Sequence, residues 1–395
     1  MLNKVIKFFG NKYSASILCI TIALCLFGIL MVYSASSYTA LQTYGSSTYF
    51  MTKQIVGFLI GLVVMIVLSH VNYNFLSRFY IFALILGIAL LVLVLIPGVG
   101  VTNYGARRWI GFGAFSFQAS EVAKFCFIIF CAGYMSKYVE RMSTFRGSLP
   151  VLFAGLTMCV LVLLEPNMSI TICLGVVMIV MLLVGGMNIK HLVGLSIPIA
   201  CAVPLLIMLE PYRLKRLFAF LDPWASPQGE GFQLIQSLYA LGAGGWFGVG
   251  LFNSRQKYAF LPFSESDFIF SIIGEEFGFV GALLLLLVFG LLIYLGYRVS
   301  INAKDRFGCY LGIGITSILA VQVLLNVAVV SGAVPPTGLP LPFISAGSTS
   351  LIVFMAGMGI LSNIAQSTGL RTNTINYSQK LFVGRNKAQI SECKH

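Results

Sequence analysis

The chain reads as a succession of long apolar runs separated by short polar breaks. Ten runs stand out: Ser14 to Tyr33, Gln54 to Val71, Phe79 to Ile96, Ser120 to Tyr138, Leu149 to Leu164, Met168 to Gly186, His191 to Leu209, Phe268 to Tyr297, Leu311 to Gly332 and Thr349 to Ile364. Each is apolar on all sides, unlike the single stripe of a helix that keeps one face in water. About 20 such residues cross a ~30 Å hydrocarbon core as a helix. The pattern predicts an all-α integral membrane protein, a polytopic bundle of about ten transmembrane helices. The fifth and sixth runs adjoin across Glu165-Pro166-Asn167 and also read as one broken hairpin. The first run follows Lys4, Lys7 and Lys12 as a signal peptide would, but it leads into another span, so it reads as an uncleaved first helix.

Composition removes the soluble alternatives. Of 395 residues, 58% are hydrophobic and only 9% charged, and the mean hydropathy is +0.94. A soluble domain carries about 25% charged residues, so most of this surface must face lipid. The net charge of +13 comes from 25 Lys+Arg against 12 Asp+Glu. Most of the basic residues, including Lys137, Arg141, Arg146, Lys190, Arg298, Lys304 and Arg306, fall on the side of the N-terminus. The positive-inside bias then makes both termini cytoplasmic. It divides the chain into a cytoplasmic N-terminus (1–13), a membrane domain (14–366) and a cytoplasmic tail (367–395). Nine cysteines lie mostly within spans with no CxxC, and there are three histidines, so neither a disulfide framework nor a metal site is expected. No basic tract is interleaved with aromatics in the manner of a nucleic-acid binder.

Four stretches interrupt the apolar pattern, all on the outer side in this topology. They are Asn103 to Ile110 with Phe117 to Lys124, the tripeptide Glu165-Pro166-Asn167, the large loop 210–267 between helices 7 and 8, and Pro335 to Ser348. A loop as long as 210–267 is functional or disordered as a rule, and its Phe, Trp, Leu and Ile content is too high for disorder. Within these stretches Glu121 and Lys124 stand i,i+3 and can pair on one helix face. Asp267 ends the polar loop and precedes Phe268-Ile269-Phe270, where water meets an apolar wall. Desolvation there raises a carboxyl's pKa toward that of a general base, whereas a helix N-cap would lower it. Spacing leaves both open. On a helix starting at Asp267, Glu275 would lie roughly 80° away and Glu276 roughly 180°.

These residues carry a resemblance. The chain is similar to the shape, elongation, division and sporulation proteins, the family of FtsW, RodA and SpoVE, from about Val32 to about Asn363. The matching stretches are Gly105 to Ile110 with Gln118 to Lys124; Phe220 to Pro223; Gln233 to Ser237 with Gly242 to Gly250; Asn253 to Lys257 leading to Asp267; Ile273 to Gly278; Gln322 and Asn326; and Pro336 to Ser345. The resemblance implies a peptidoglycan glycosyltransferase of the bacterial cytoplasmic membrane. It would polymerise lipid II during division or sporulation, with a class B penicillin-binding transpeptidase and other divisome or spore-cortex membrane proteins as partners. It assigns the catalytic carboxylate to Asp267 and places Glu121 and Lys124 at the central cavity. Trp109 falls on the tryptophan of the family's arginine-tryptophan motif, and it and Ser345 are further substrate-binding candidates. The sequence departs from the family pattern at Glu165, Asn167, Ala119, Phe263, Glu265, Ser266, Ala346 and Ser348, as a specialised relative would.

The chemistry is coherent from the residues upward. Transfer from a lipid pyrophosphate needs a base for the acceptor hydroxyl and positive charge for the leaving group. Asp267 would be the base of an inverting displacement. Arg107, Arg108, Arg213, Lys215, Arg216 and Lys257 could hold pyrophosphate, although basic side chains at a membrane interface also snorkel without binding anything. A divalent cation, Mg or Mn, could assist, but no all-protein cage is visible. Two rival readings are a lipid II flippase and a non-enzymatic scaffold of the division machinery. A carrier should show internal repeats and gates on both sides, whereas the loops here are elaborate on one face only.

Overall fold

The computed structural model describes residues 12–103, 106–112, 115–194, 211–258, 260–336 and 338–368. The helices are α1 (Lys12–Tyr44), α2 (Tyr49–His70), α3 (Tyr80–Leu95), α4 (Ala119–Lys137), α5 (Phe145–Leu164), α6 (Met168–Val184), α7 (Pro211–Leu221), α8 (Phe232–Gly244), α9 (Ile269–Ile301), α10 (Arg306–Val330) and α11 (Ser348–Ser367). Among the described residues seven are long and apolar enough to cross a membrane, and α3 and α6 are shorter apolar helices. Together they account for nine of the ten apolar runs. The seventh run is helical at 189–194, begun by Asn188, whose side chain accepts from the Lys190 N–H at 3.1 Å; the rest lies outside the described residues.

Three features differ from the sequence reading. First, α1 continues about three turns beyond Tyr33 to Tyr44, because nothing breaks it before Gly45; Ser34, Ala35 and Ser36 are buried within it. Second, the chain is not purely helical. Strands β1 (Gly100–Asn103), β2 (Ala106–Phe112) and β3 (Phe115–Gln118) form an antiparallel sheet in that order, with Trp109 opposite both Val101 and Gln118. Alternation of side chains along β2 sends Arg107 outward and Arg108 inward. Third, the 210–267 loop carries α7, α8 and a short 3-10 turn (Pro223–Ala225).

Helix α9 has 33 residues, about 50 Å at ~1.5 Å per residue, far more than a ~30 Å core requires. It breaks at Gly278, which adopts φ 69°, ψ −170°. The segment after α8 fills the break. Val249 and Gly250 donate to the oxygens of Glu275 and Glu276 at 3.0 Å, and Phe279 and Val280 donate back to Gly245 and Trp246 at 2.9 and 3.1 Å. Backbone groups freed by the break are thus satisfied by another segment, as a low-dielectric setting demands. The approach leaves no room for side chains: a Cβ on Gly278 would lie 2.4 Å from the Gly248 nitrogen.

The bundle core contains Phe127 and Ile128 of α4, Met178 and Met181 of α6, Ile315 and Ile318 of α10, and Phe354 and Met358 of α11. Into it α4 carries the buried polar side chains of Ser120, Glu121 and Lys124, and α10 those of Thr316, Ser317, Gln322 and Asn326.

Candidate active site

The four polar stretches meet at one end of the bundle. Arg108 of β2 donates from Nε to the Glu165 backbone oxygen at 3.2 Å and from Nη2 to the Pro166 oxygen. Arg216 of α7 donates to the Pro336 oxygen at 3.2 Å. The Ala346 N–H donates to the Glu265 oxygen at 2.8 Å, and Thr349 accepts from the Gln118 N–H at 3.2 Å. Stretches that the sequence separates are one polar assembly.

Asp267 sits within it, partly exposed. Helix α9 starts at Ile269, and its N-cap residue is Phe268, with no side-chain cap. Asp267 is therefore not the N-cap. Burial pushes its carboxyl up to about 6, helped by the neighbouring Glu265 charge and opposed by Arg108, Arg216 and the Ser266 hydroxyl. Its backbone oxygen accepts from Asn326 Nδ2 at 2.8 Å, and the same amide reaches the Leu339 oxygen at 2.6 Å. Gly338 comes so close that a Cβ there would lie 3.0 Å from Asp267 Oδ2. Burial also raises the Glu265 carboxyl, with its own backbone N–H and Ser264 opposing.

Below this lies a buried ion pair. Lys124 Nζ reaches Glu121 Oε1 at 2.9 Å and Gln322 Oε1 at 2.7 Å, and Gln322 Nε2 donates to the Pro340 oxygen at 2.9 Å. The i,i+3 pairing expected from the sequence is present. Glu121 Oε2 has no hydrogen-bond partner.

The remaining sequence candidates divide. Arg107 is exposed and Trp109 half-buried in β2. The side chain of Arg213 lies outside the described residues. Lys215 is exposed on α7. Ser345 is buried, donating to the Ser266 oxygen at 2.6 Å and accepting from the Leu341 N–H at 2.7 Å. Its hydroxyl is committed to shaping the loop rather than to a ligand. Lys257 is buried against Glu276 at 3.2 Å and Ser34 at 3.4 Å, so its ammonium serves an internal pair rather than an incoming anion. Glu275, its neighbour, accepts from the backbone N–H groups of Arg255 and Gln256 at 2.8 and 3.4 Å and from the Ser254 hydroxyl. Both glutamates thus bind the 254–257 turn.

Gln54, Gln322 and Asn326 escaped the list of candidate site residues. Gln54 donates to the Ser345 oxygen at 3.1 Å and accepts from the Gly347 N–H at 3.3 Å. A signal did exist: Gln322 and Asn326 are i,i+4 amides inside an apolar helix, a pairing that marks a functional face.

Comparisons with known proteins agree with this architecture. The sequence profile of the FtsW, RodA and SpoVE family, described as cell cycle proteins, matches residues 15–369. Stage V sporulation protein E of Bacillus subtilis is 40% identical over 348 residues, covering 88% of this chain and 95% of that protein. A probable peptidoglycan glycosyltransferase FtsW of Trichlorobacter lovleyi is 39% identical over 361 residues, 91% of this chain and 94% of that one. Among solved structures, a chain of a peptidoglycan synthase complex that coordinates polymerization and crosslinking superposes with a TM-score of 0.74 at 28% identity, covering 90% of this chain and 98% of that one. The rod shape determining protein RodA of Thermus thermophilus shares the fold, with a TM-score of 0.65 at 24% identity over 89% of this chain and 96% of that one. A multi-pass membrane protein whose four polar stretches meet at one end of the bundle, the chain belongs to the FtsW, RodA and SpoVE family of cell cycle proteins.

Proposed function

We propose that the protein is a peptidoglycan glycosyltransferase that polymerises lipid II, with Asp267 as general base. The observation that carries the reading is the setting of that carboxyl. It is held by its backbone at the mouth of a polar assembly, raised to about 6, and subject to the charges of Arg108 and Arg216. Such a carboxylate is ionised at neutral pH yet basic enough to accept a proton.

The step is a single displacement with inversion. The acceptor hydroxyl oxygen attacks the anomeric carbon of the lipid-linked sugar while its proton passes to an Asp267 oxygen. The bond from that carbon to the pyrophosphate oxygen breaks, and the pyrophosphate leaves with the electron pair. Fixed positive charge nearby stabilises the negative charge that develops there, and Arg108 and Arg216 are the residues in place to supply it. The Glu121–Lys124–Gln322 group supports the Pro340 turn that borders Asp267. A divalent cation, Mg or Mn, would enter bound to the pyrophosphate as part of the substrate, since no group of three or more His, Cys, Asp or Glu suited to a metal occurs among the described residues.

The polar end would face the cell exterior, with both termini cytoplasmic, following the positive-inside bias. A class B penicillin-binding transpeptidase would be the partner, by analogy with the synthase complex whose chain this one resembles. A raised carboxyl subject to the charges of two arginines supports an enzyme over a flippase or a scaffold, since neither of those needs a base. The test is purified protein with its transpeptidase and labelled lipid II. Glycan chains are the expected product; lipid II transport into vesicles without polymer would favour the flippase.

A further inference from the structure

Glu165 follows α5 as its C-cap residue, and its side chain is fully buried with neither carboxyl oxygen hydrogen-bonded. From β2, Arg108 faces it; from α4, the buried Ser120 hydroxyl lies beside it, while the next residue, Glu121, is engaged with Lys124. The first turn of α6, Met168 to Thr171, brings no charged group. Arg108 grips the main chain at Glu165 and Pro166 through two hydrogen bonds. The same guanidinium acts on the carboxyls of both Glu165 and Asp267.

We propose that Glu165 is a positioning residue for the transfer, acting through Arg108: neutral, it leaves the guanidinium charge to the anion beside Asp267, and ionised, it draws that charge back to the end of α5. The inference rests on the proposed reaction. A neutral carboxyl adjoins Arg108 at modest cost, whereas a carboxylate sealed from water pairs with the nearest cation strongly. Burial pushes Glu165 up to about 8, opposed by Ser120 and Arg108. The switch from one state to the other therefore falls just above neutrality.

The experiment is the pH profile of lipid II polymerisation by the protein with its transpeptidase, wild type against Glu165→Gln, the neutral isostere. The wild-type rate should fall above pH 8, mainly through KM, while the Gln variant holds its plateau; at pH 9 one ionisation at about 8 separates them by about 10-fold. Coincident alkaline limbs would overturn the inference. Thermal unfolding across pH is the second readout. A carboxyl raised in the folded state stabilises below its unfolded value and loses that contribution as pH rises through about 8. Wild type should thus lose stability relative to Glu165→Gln between pH 5 and 9, and parallel curves would also overturn it. A wild type that makes no glycan at any pH counts against the reaction itself, and the unfolding curves still decide whether Glu165 holds this proton.

Discussion

Ser345 donates its hydroxyl to the backbone oxygen of Ser266 at 2.6 Å, tying the proline-rich loop to the residue before Asp267. One residue on either side of that contact, the Ala346 N–H holds the Glu265 oxygen at 2.8 Å and Asn326 holds the Asp267 oxygen at 2.8 Å. Three successive carbonyls are thereby fixed by groups from α10 and the following loop. In the proposed reaction a carboxylate on such a backbone would meet its substrate already oriented, which is where much of an enzyme's advantage originates.

The Asp267 carboxyl should limit the acid side of the pH profile. It accepts a proton only when ionised, so polymerisation should rise as pH increases through about 6. Asp267→Asn should lose at least ~10²-fold of the rate. Stability should move the other way. A carboxyl raised in the folded state contributes stability below its unfolded value and loses it as pH climbs through about 6, so the Asn variant should melt higher than wild type at pH 7. Activity assays and melting curves on the same preparations check both, and a variant with near-normal polymerisation would remove Asp267 as the base.

Breaking the Glu121–Lys124 pair should be worse than removing it. Lys124→Met leaves a fully buried carboxylate and should cost about 3–5 kcal/mol, and Glu121→Gln leaves a buried ammonium. The double variant should recover much of either loss. Melting temperatures of the four proteins in detergent give the coupling; additive losses would mean that the pair is not the unit of stability.

Lys257 should behave as an internal clamp. Lys257→Met strands Glu276, which Ser34 and Ser254 contact but do not neutralise. Stability should drop by about 3–5 kcal/mol, with Glu276→Gln in the same chain restoring most of it. Lipid II KM should move little in the double variant. A large rise in KM there would return Lys257 to the anion site.

Orientation can be read without an activity assay. With the nine cysteines replaced, single cysteines at the exposed positions Gln228 and Asn253 should react with an impermeant maleimide added outside cells. Cysteines at Arg141 and Lys190, exposed at the opposite end, should react only after permeabilisation. Labelling of both sets from outside would break the topology.

Much of this protein is already determined by its sequence. Apolar runs near 20 residues became helices because a segment in lipid must satisfy its own backbone. The Glu121–Lys124 pair was legible because an i,i+3 spacing brings two side chains together without help from the rest of the fold. The 210–267 loop was legible as ordered from its apolar content, and Asp267 from its place at the edge of a span. What the sequence left open were choices among distant partners. Nothing local to Arg108 says that it grips a carbonyl 57 residues away. Lys257 and Arg216 look alike as surface cations, yet one is buried on Glu276 and the other reaches Pro336. The sheet at 100–118 escaped because its strands are short and interrupt a helical pattern. The break in α9 escaped because Gly278 in an apolar run resembles any other helical glycine until the 245–250 segment approaches it. Periodicity records what a residue's own element requires. Which of several similar charges faces Asp267 depends on packing between elements far apart in the chain, and only the tertiary structure decides that.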